Sequence, residues 1–162
     1  MKKTVSVVFG TFAPMHKGHI DLIQRAKREN DRAVVIVSGY DQDRGHQIGL
    51  GLQKRFRYIR ETFNDEPLVS VFKLDETGMP PYPEGWTPWL EALQALVAIK
   101  EDEELVFYVS EKGYAEELRS RGYLASFTER NFGISATLIR ENPAKYWNSI
   151  AKPFRRHFSK NV

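Results

Sequence analysis

The sequence predicts an α/β fold built on a five-stranded parallel sheet with helices on both faces. Three observations lead there. Helical and strand-like periods alternate along the 162 residues, the pattern of repeated strand–helix units. The run Ala33-Val34-Val35-Ile36-Val37-Ser38 is apolar almost throughout, as in a parallel strand covered on both faces. An earlier apolar run, Val5, Val7, Val8 and Phe9, ends in a glycine-containing loop from which an amphipathic helix starts at once.

Taken in order, the first strand spans residues 4–10. The helix after it spans 17–29, with Ile20, Ile23 and Ala26 or Lys27 facing inward. The second strand is 33–38. A polar, glycine-rich segment, 39–51, reads as a flexible loop; its Gly49-Leu50-Gly51 follows no strand directly and is not a dinucleotide fingerprint. A helix over 52–63 places Phe56, Ile59 and Phe63 on one face and leads to the third strand, 68–74. Residues 75–88 are rich in Pro and Gly and hold Tyr82 and Trp86, a stiff aromatic loop with reason to be ordered. The next helix, 88–100, has Trp89, Leu90, Leu93, Leu96 and Val97 at helical spacing. A fourth strand (105–110), a short helix (114–121), a fifth strand (123–128) and a helix over 134–141 follow. Pro143 ends or offsets that helix, and a last helix runs over 145–160. The result is a Rossmann-like, doubly wound core over 1–142 with a C-terminal helical extension, 143–162, packed on it as one domain.

Composition narrows the classes. The chain has no cysteine, which excludes a disulfide framework and thiol chemistry and fits a reducing cytoplasm. Lys2 and Lys3 precede a strand, so no secretory leader is read, and no apolar run reaches membrane-spanning length. The net charge of +3 is unevenly spread: residues 143–162 carry Lys145, Lys152, Arg155, Arg156 and Lys160 and no acid, leaving the rest at −2. A general nucleic-acid surface is therefore not indicated. The basic end reads as a solvated helix face, and Trp147, Phe154 and Phe158, which interleave with it, fall at spacings suited to packing rather than to base stacking.

The chemistry concentrates in Phe9-Gly10-Thr11-Phe12-Ala13-Pro14-Met15-His16-Lys17-Gly18-His19. Two histidines stand where a helix begins, and a helix start offers unpaired N–H groups and partial positive charge to a phosphate. Imidazoles there add donors that can follow charge as it moves between phosphate oxygens. The alternatives are half of a zinc site, which the lack of cysteine and the unrelated settings of His46 and His157 argue against, and a His19 that only braces the loop. A second element, Ile134-Ser135-Ala136-Thr137-Leu138-Ile139-Arg140, reads as a capped helix start. Ser135 is a natural N-cap, Thr137 and Arg140 share a face, and Arg140 can grip phosphate with two hydrogen bonds. Alone it is also an ordinary capped helix with an exposed arginine.

The first segment resembles the G-x-F-x-P-x-H-x-G-H signature of the nucleotidylyltransferase superfamily, and the second its I-S-x-T-x-x-R signature. The resemblance implies that His16, His19 and Arg140 are catalytic and contact ATP phosphates, with Gly10, Thr11, Phe12, Gly18, Ser135 and Thr137 around them. It also implies that an adenylyl group passes to a phosphorylated acceptor. Magnesium would come with the substrate; no carboxylate cage is visible, so no metal ligand is named.

The run Asp75-Glu76-Thr77-Gly78-Met79-Pro80-Pro81-Tyr82-Pro83-Glu84-Gly85-Trp86, with Trp89 and the tail Tyr146-Trp147-Asn148-Ser149-Ile150, is similar to the nicotinamide-nucleotide adenylyltransferase domain of bacterial NadR-type proteins. The similarity covers nearly the whole chain. It implies that nicotinamide mononucleotide and ATP are the substrates, with Trp86, then Trp89, as the platform for the nicotinamide ring, packing being the alternative for both. An indole face suits a cationic pyridinium. By family position Ser38, Arg44 and Arg130 lie near the acceptor and Ser110, with Glu111, near the base or ribose of ATP, while Arg55 reaches the acceptor or a helix dipole. The kinase that NadR-type proteins carry next is not expected here, since no G-x-x-x-x-G-K-[ST] loop occurs. The domain is thus excised from a longer parent or stands alone, and a homo-oligomer stays open. The competing class is a nucleotide-sensing or nucleic-acid-binding module on the same fold.

Overall fold

The apolar runs become five strands: β1 (Lys3–Gly10), β2 (Arg32–Gly39), β3 (Val69–Asp75), β4 (Glu103–Val109) and β5 (Leu124–Phe127). Between and after them lie α1 (Lys17–Glu29), α2 (Arg44–Gln47), α3 (Leu52–Thr62), α4 (Trp86–Val97), α5 (Lys112–Ser120), α6 (Ala136–Glu141) and α7 (Lys152–Phe158). The computed structural model describes residues 2–129 and 133–158. Among them no helix is long and apolar enough to cross a membrane.

All strand pairs are parallel, in the order β3-β2-β1-β4-β5. Successive strand residues point to opposite faces, so a sheet covered twice must be apolar at every position. Val5, Val7, Val34, Ile36 and Phe107 pack with Trp89, Leu90, Leu93 and Leu118 of α4 and α5. Val8, Val35, Val37 and Tyr108, offset by one, pack with Ile23, Ala26, Ile59, Ile139 and Phe154 on the other face. Ser6 is the buried polar residue of β1; its hydroxyl donates to the carbonyls of Ala26 or Arg32, at 3.2 and 3.1 Å. The chain steps outward from β1 to β3 and then returns past β1 to β4. Connections therefore leave β1 and β4 on opposite faces, and a crevice opens between their carboxyl ends.

Three elements differ from the sequence reading. The segment 39–51 is not a flexible loop: it contains α2, and Leu50 is wholly buried. Its order comes from Arg55 on α3, itself wholly buried. That guanidinium donates to the carbonyls of Leu50 (2.9 Å), Thr11 (2.7 Å) and Ser38 (3.2 Å) and to Asp43 Oδ2 (2.6 Å). Asp43 in turn caps α2 through His46 N–H at 2.8 Å. Gly39 is the consequence: a Cβ there would lie 2.5 Å from Asp43 Oδ2 and 2.6 Å from Arg55 Nη2. Arg55 thus does not line the cleft; its donors are taken up by these carbonyls and by Asp43. α4 begins at Trp86, two residues before the expected start, so Trp86 stands in its first turn and not in the preceding loop.

The third difference is at the C-terminal end. The helix expected over 145–160 is interrupted by a 3₁₀ turn at Trp147–Ser149, and α7 starts only at Lys152. Ile150 pairs with His16 in an antiparallel bridge, and Ala151 N–H donates to Met15 O at 3.0 Å. Bridging needs extended backbone, which a helix cannot supply. Wholly buried Phe154 then anchors α7 against Tyr58 of α3, ring centroids 5.3 Å apart.

Burial pushes the Arg55 guanidinium pKa down, and the Asp43 charge pulls it back up. Removing one partner leaves the other charge buried and alone. Arg55→Met is expected to lower unfolding stability by about 3–5 kcal/mol in urea titrations. Adding Asp43→Asn in that background should recover part of the loss, because the uncharged amide keeps the cap; no recovery would mean that charge burial is not the cause.

Candidate active site

The turn from β1 into α1 is built by its own side chains. His16 is the N-cap of α1: its Nδ1 accepts the Gly18 N–H at 3.1 Å, while its backbone N–H donates to His19 Nδ1 at 3.1 Å. This is a reciprocal capping box made from two histidines. With Nδ1 accepting in both rings, the proton of each neutral imidazole sits on Nε2. The rings stack, centroids 3.7 Å apart, and Phe12 meets His19 edge-on at 4.9 Å. Phe12 holds a left-handed backbone, φ 52°, and its buried ring fixes it there. A Cβ on Gly18 would stand 3.0 Å from the His16 ring, so that ring rests against bare backbone.

The second element meets the first directly. Ser135 Oγ accepts Leu138 N–H at 3.1 Å and caps α6. From α6, Arg140 Nη1 donates to Ala13 O at 2.7 Å, joining residues 127 positions apart, and Nη2 donates to Thr137 Oγ1 at 3.3 Å. Burial first, and then the like charge of Arg44, push the Arg140 pKa down. Two guanidiniums thus face one region, a setting that attracts anions.

All these groups border one cleft of about 1010 Å³ at the carboxyl edge of the sheet. Gly10, Thr11, Phe12, His16, Gly18, His19, Ser38, Arg44, Trp86, Trp89, Ser110, Ser135, Thr137 and Arg140 line it. Glu111 lines it too, and Arg130 lies outside the described residues. At one end stands an aromatic wall. Trp86 and Trp89 are each 7% exposed. Trp89 Nε1 donates to Ser38 Oγ at 3.1 Å, while Trp86 Nε1 is buried with no partner among the described residues. Phe9 lies 4.8 Å from Trp89 and stacks on Tyr114 at 5.8 Å, and Trp86 meets Tyr114 edge-on at 5.5 Å.

The sequence reading missed a second group of lining residues. Arg25 of α1 donates from Nη1 to Thr128 Oγ1 at 2.6 Å, and Tyr108 OH donates to Glu29 Oε1 at 2.8 Å. Burial and that hydrogen bond push the Tyr108 pKa up. Gly18, Leu22 and Arg25 lie at helical spacing, so the α1 face turned to the cleft could have been followed one turn further. Phe9, Tyr114 and Glu76 carry no such signal; only the sheet order brings them to the crevice.

The model for cytidylyltransferase-like domains matches residues 7–142. The chain belongs to the cytidylyltransferase-like family. It is a nucleotidyltransferase. It is 34% identical over 173 aligned residues to the trifunctional NAD biosynthesis/regulator protein NadR of Escherichia coli (strain K12), covering 99% of this chain and 42% of NadR. Two solved structures of NadR proteins superpose well. One, in complex with NR, is 45% identical with a TM-score of 0.88 over 97% of this chain and 46% of that one. The other, in complex with NAD and AMP-PNP, is 43% identical with a TM-score of 0.82 over 98% and 48%. The chain spans less than half the length of these relatives.

Alanine is a better helix former than glycine, so Gly18→Ala should not weaken α1, yet its methyl group must displace the His16 ring. The ring gives by a few tenths of an ångström. The expected outcome is a thermal midpoint near that of the parent, helix gain offsetting a weakened cap, and a nucleotidyl-transfer rate lower by roughly several-fold, below the hundredfold of a full ångström. An unchanged rate would mean that the His16 ring position does not matter.

Proposed function

We propose that this nucleotidyltransferase moves AMP from ATP to nicotinamide mononucleotide, giving NAD and pyrophosphate. The observation that carries this reading is a single cleft with two chemically different ends. One is lined by Arg44, Arg140 and the stacked histidines, the other by Trp86, Trp89, Phe9 and Tyr114. A pyridine mononucleotide, with a phosphate at one end and a flat ring at the other, has the same layout. Likeness to NadR, one of whose structures is in complex with NAD and AMP-PNP, supports it. The cysteine-free sequence suits such work on free nucleotides in the cytoplasm.

In this reading an oxygen of the acceptor phosphate attacks the α-phosphorus of ATP, the bond from that phosphorus to the β-phosphate oxygen breaks, and pyrophosphate leaves with the electron pair. Little covalent help is needed. Holding both substrates in line supplies up to roughly 7–11 kcal/mol of the barrier. His16 and His19 offer Nε2–H donors to the phosphate oxygens where charge develops, and Arg140, set by Thr137 and Ala13 O, takes the leaving phosphates. Gly10, Thr11, Phe12, Gly18 and Ser135 shape the cradle, Ser110 serves the ATP base or ribose, Ser38 and Arg44 serve the acceptor, and Trp86 and Trp89 take the ring. Among the described residues no three His, Asp or Glu side chains converge as a metal cage. The donor set fits Mg²⁺ that arrives with ATP, held by phosphate oxygens and water.

The deciding experiment measures pyrophosphate release from ATP with and without nicotinamide mononucleotide; release only with it supports the proposal, and none from folded protein favours a nucleotide-sensing module. His19→Ala should cut turnover at least about a hundredfold with the fold intact, as for a lost transition-state donor. Trp86→Ala should raise the KM for the mononucleotide far more than that for ATP. Equal effects on both would make Trp86 a packing residue.

A further inference from the structure

Glu76 follows β3 directly and lines the cleft on the side of Ser38 and Trp89. Its backbone is locked: its N–H donates to Gly39 O at 2.7 Å, and its carbonyl accepts Met79 N–H at 2.9 Å. Its carboxylate has no hydrogen-bond partner among the described residues, and burial together with the Asp43 charge pushes its pKa up. Arg55 is close, but Asp43 already matches that charge at 2.6 Å. Among the described residues Glu76 therefore stands beside Ser38 and Trp89 with no cation of its own. Toward the phosphate cradle Arg44 and Arg140 are close enough for their like charges to be felt. Along this part of the lining a carboxylate thus stands beside the aromatic wall and two guanidiniums stand at the phosphate cradle.

A zwitterion fits that polarity in one direction only: phosphate toward the arginines, cationic ring toward the indoles and the carboxylate. We infer that Glu76 is a specificity-determining residue, selecting an acceptor whose cationic ring carries an uncharged carboxamide over one whose ring carries a carboxylate. This rests on the reading of the acceptor as a pyridine mononucleotide. A pyridinium gives Glu76 the counter-charge it lacks and gives the indoles a cation–π partner. A ring carboxylate cancels that gain and sets a like charge in a partly desolvated site, a repulsive element of the kind that makes recognition selective.

The test compares kcat/KM for nicotinamide mononucleotide and nicotinic acid mononucleotide, by pyrophosphate release, in the parent and in two neutral variants, Glu76→Gln and Glu76→Ser. The parent is expected to favour the amide, and both variants to lose at least about tenfold of that preference. The loss should come through the KM of the mononucleotide, with the KM for ATP unchanged. Glu76→Asp, which keeps the charge, should retain most of the preference. A ratio unchanged in either folded neutral variant, or a parent that favours the carboxylate, overturns the inference while leaving the reaction standing. A parent that turns over neither mononucleotide overturns both.

Discussion

One buried cation holds the site-bearing edge of this molecule together. Arg55 donates at once to the motif loop after β1, to the last residues of β2 and to the segment that follows β2, and it closes an ion pair with Asp43. Loop carbonyls at a sheet edge are polar groups that would otherwise need water. Gathering three of them on one guanidinium allows these loops to pack as tightly as the core beneath. Stability and the shape of the cleft therefore share a constraint: the residue that satisfies the buried carbonyls is the one that sets Thr11 and Ser38 along the cleft.

A similar economy governs the cradle. The histidines cap their own helix with Nδ1, which leaves Nε2–H as the donor that each offers, so capping and the proposed catalytic role are two uses of one ring. Arg140 spends one hydrogen bond on Ala13 O, and that bond fixes the distance between the two motifs. The C-terminal strand-like bridge at Ile150 supports His16 from the far side. The groups proposed to bind phosphate are thus held from three directions, as catalysis by positioning demands.

Much of this was legible in the sequence because it is local. The apolar runs became strands with buried positions alternating between faces, and the capped helix starts at His16 and Ser135 formed where side-chain chemistry placed them. The readings that failed concern segments whose partner is distant. Residues 39–51 look flexible because their order comes from Arg55, which follows them, and from carbonyls of β1 and β2. The helix expected from 145 is broken because Ile150 finds a backbone partner at His16, a contact no periodicity announces.

By itself the sequence determined the α/β class, the strand and helix periods and the residue types able to hold phosphate, since these follow from apolar spacing, capping and side-chain donors within a few positions. Only the tertiary structure decided that the order β3-β2-β1-β4-β5 opens a crevice beside β1, and that Arg140 reaches Ala13. It also put Glu76, an ordinary loop carboxylate on paper, into a cleft without a counter-ion among the described residues. Burial and charge pairing depend on which elements become neighbours, and that depends on topology across the whole chain.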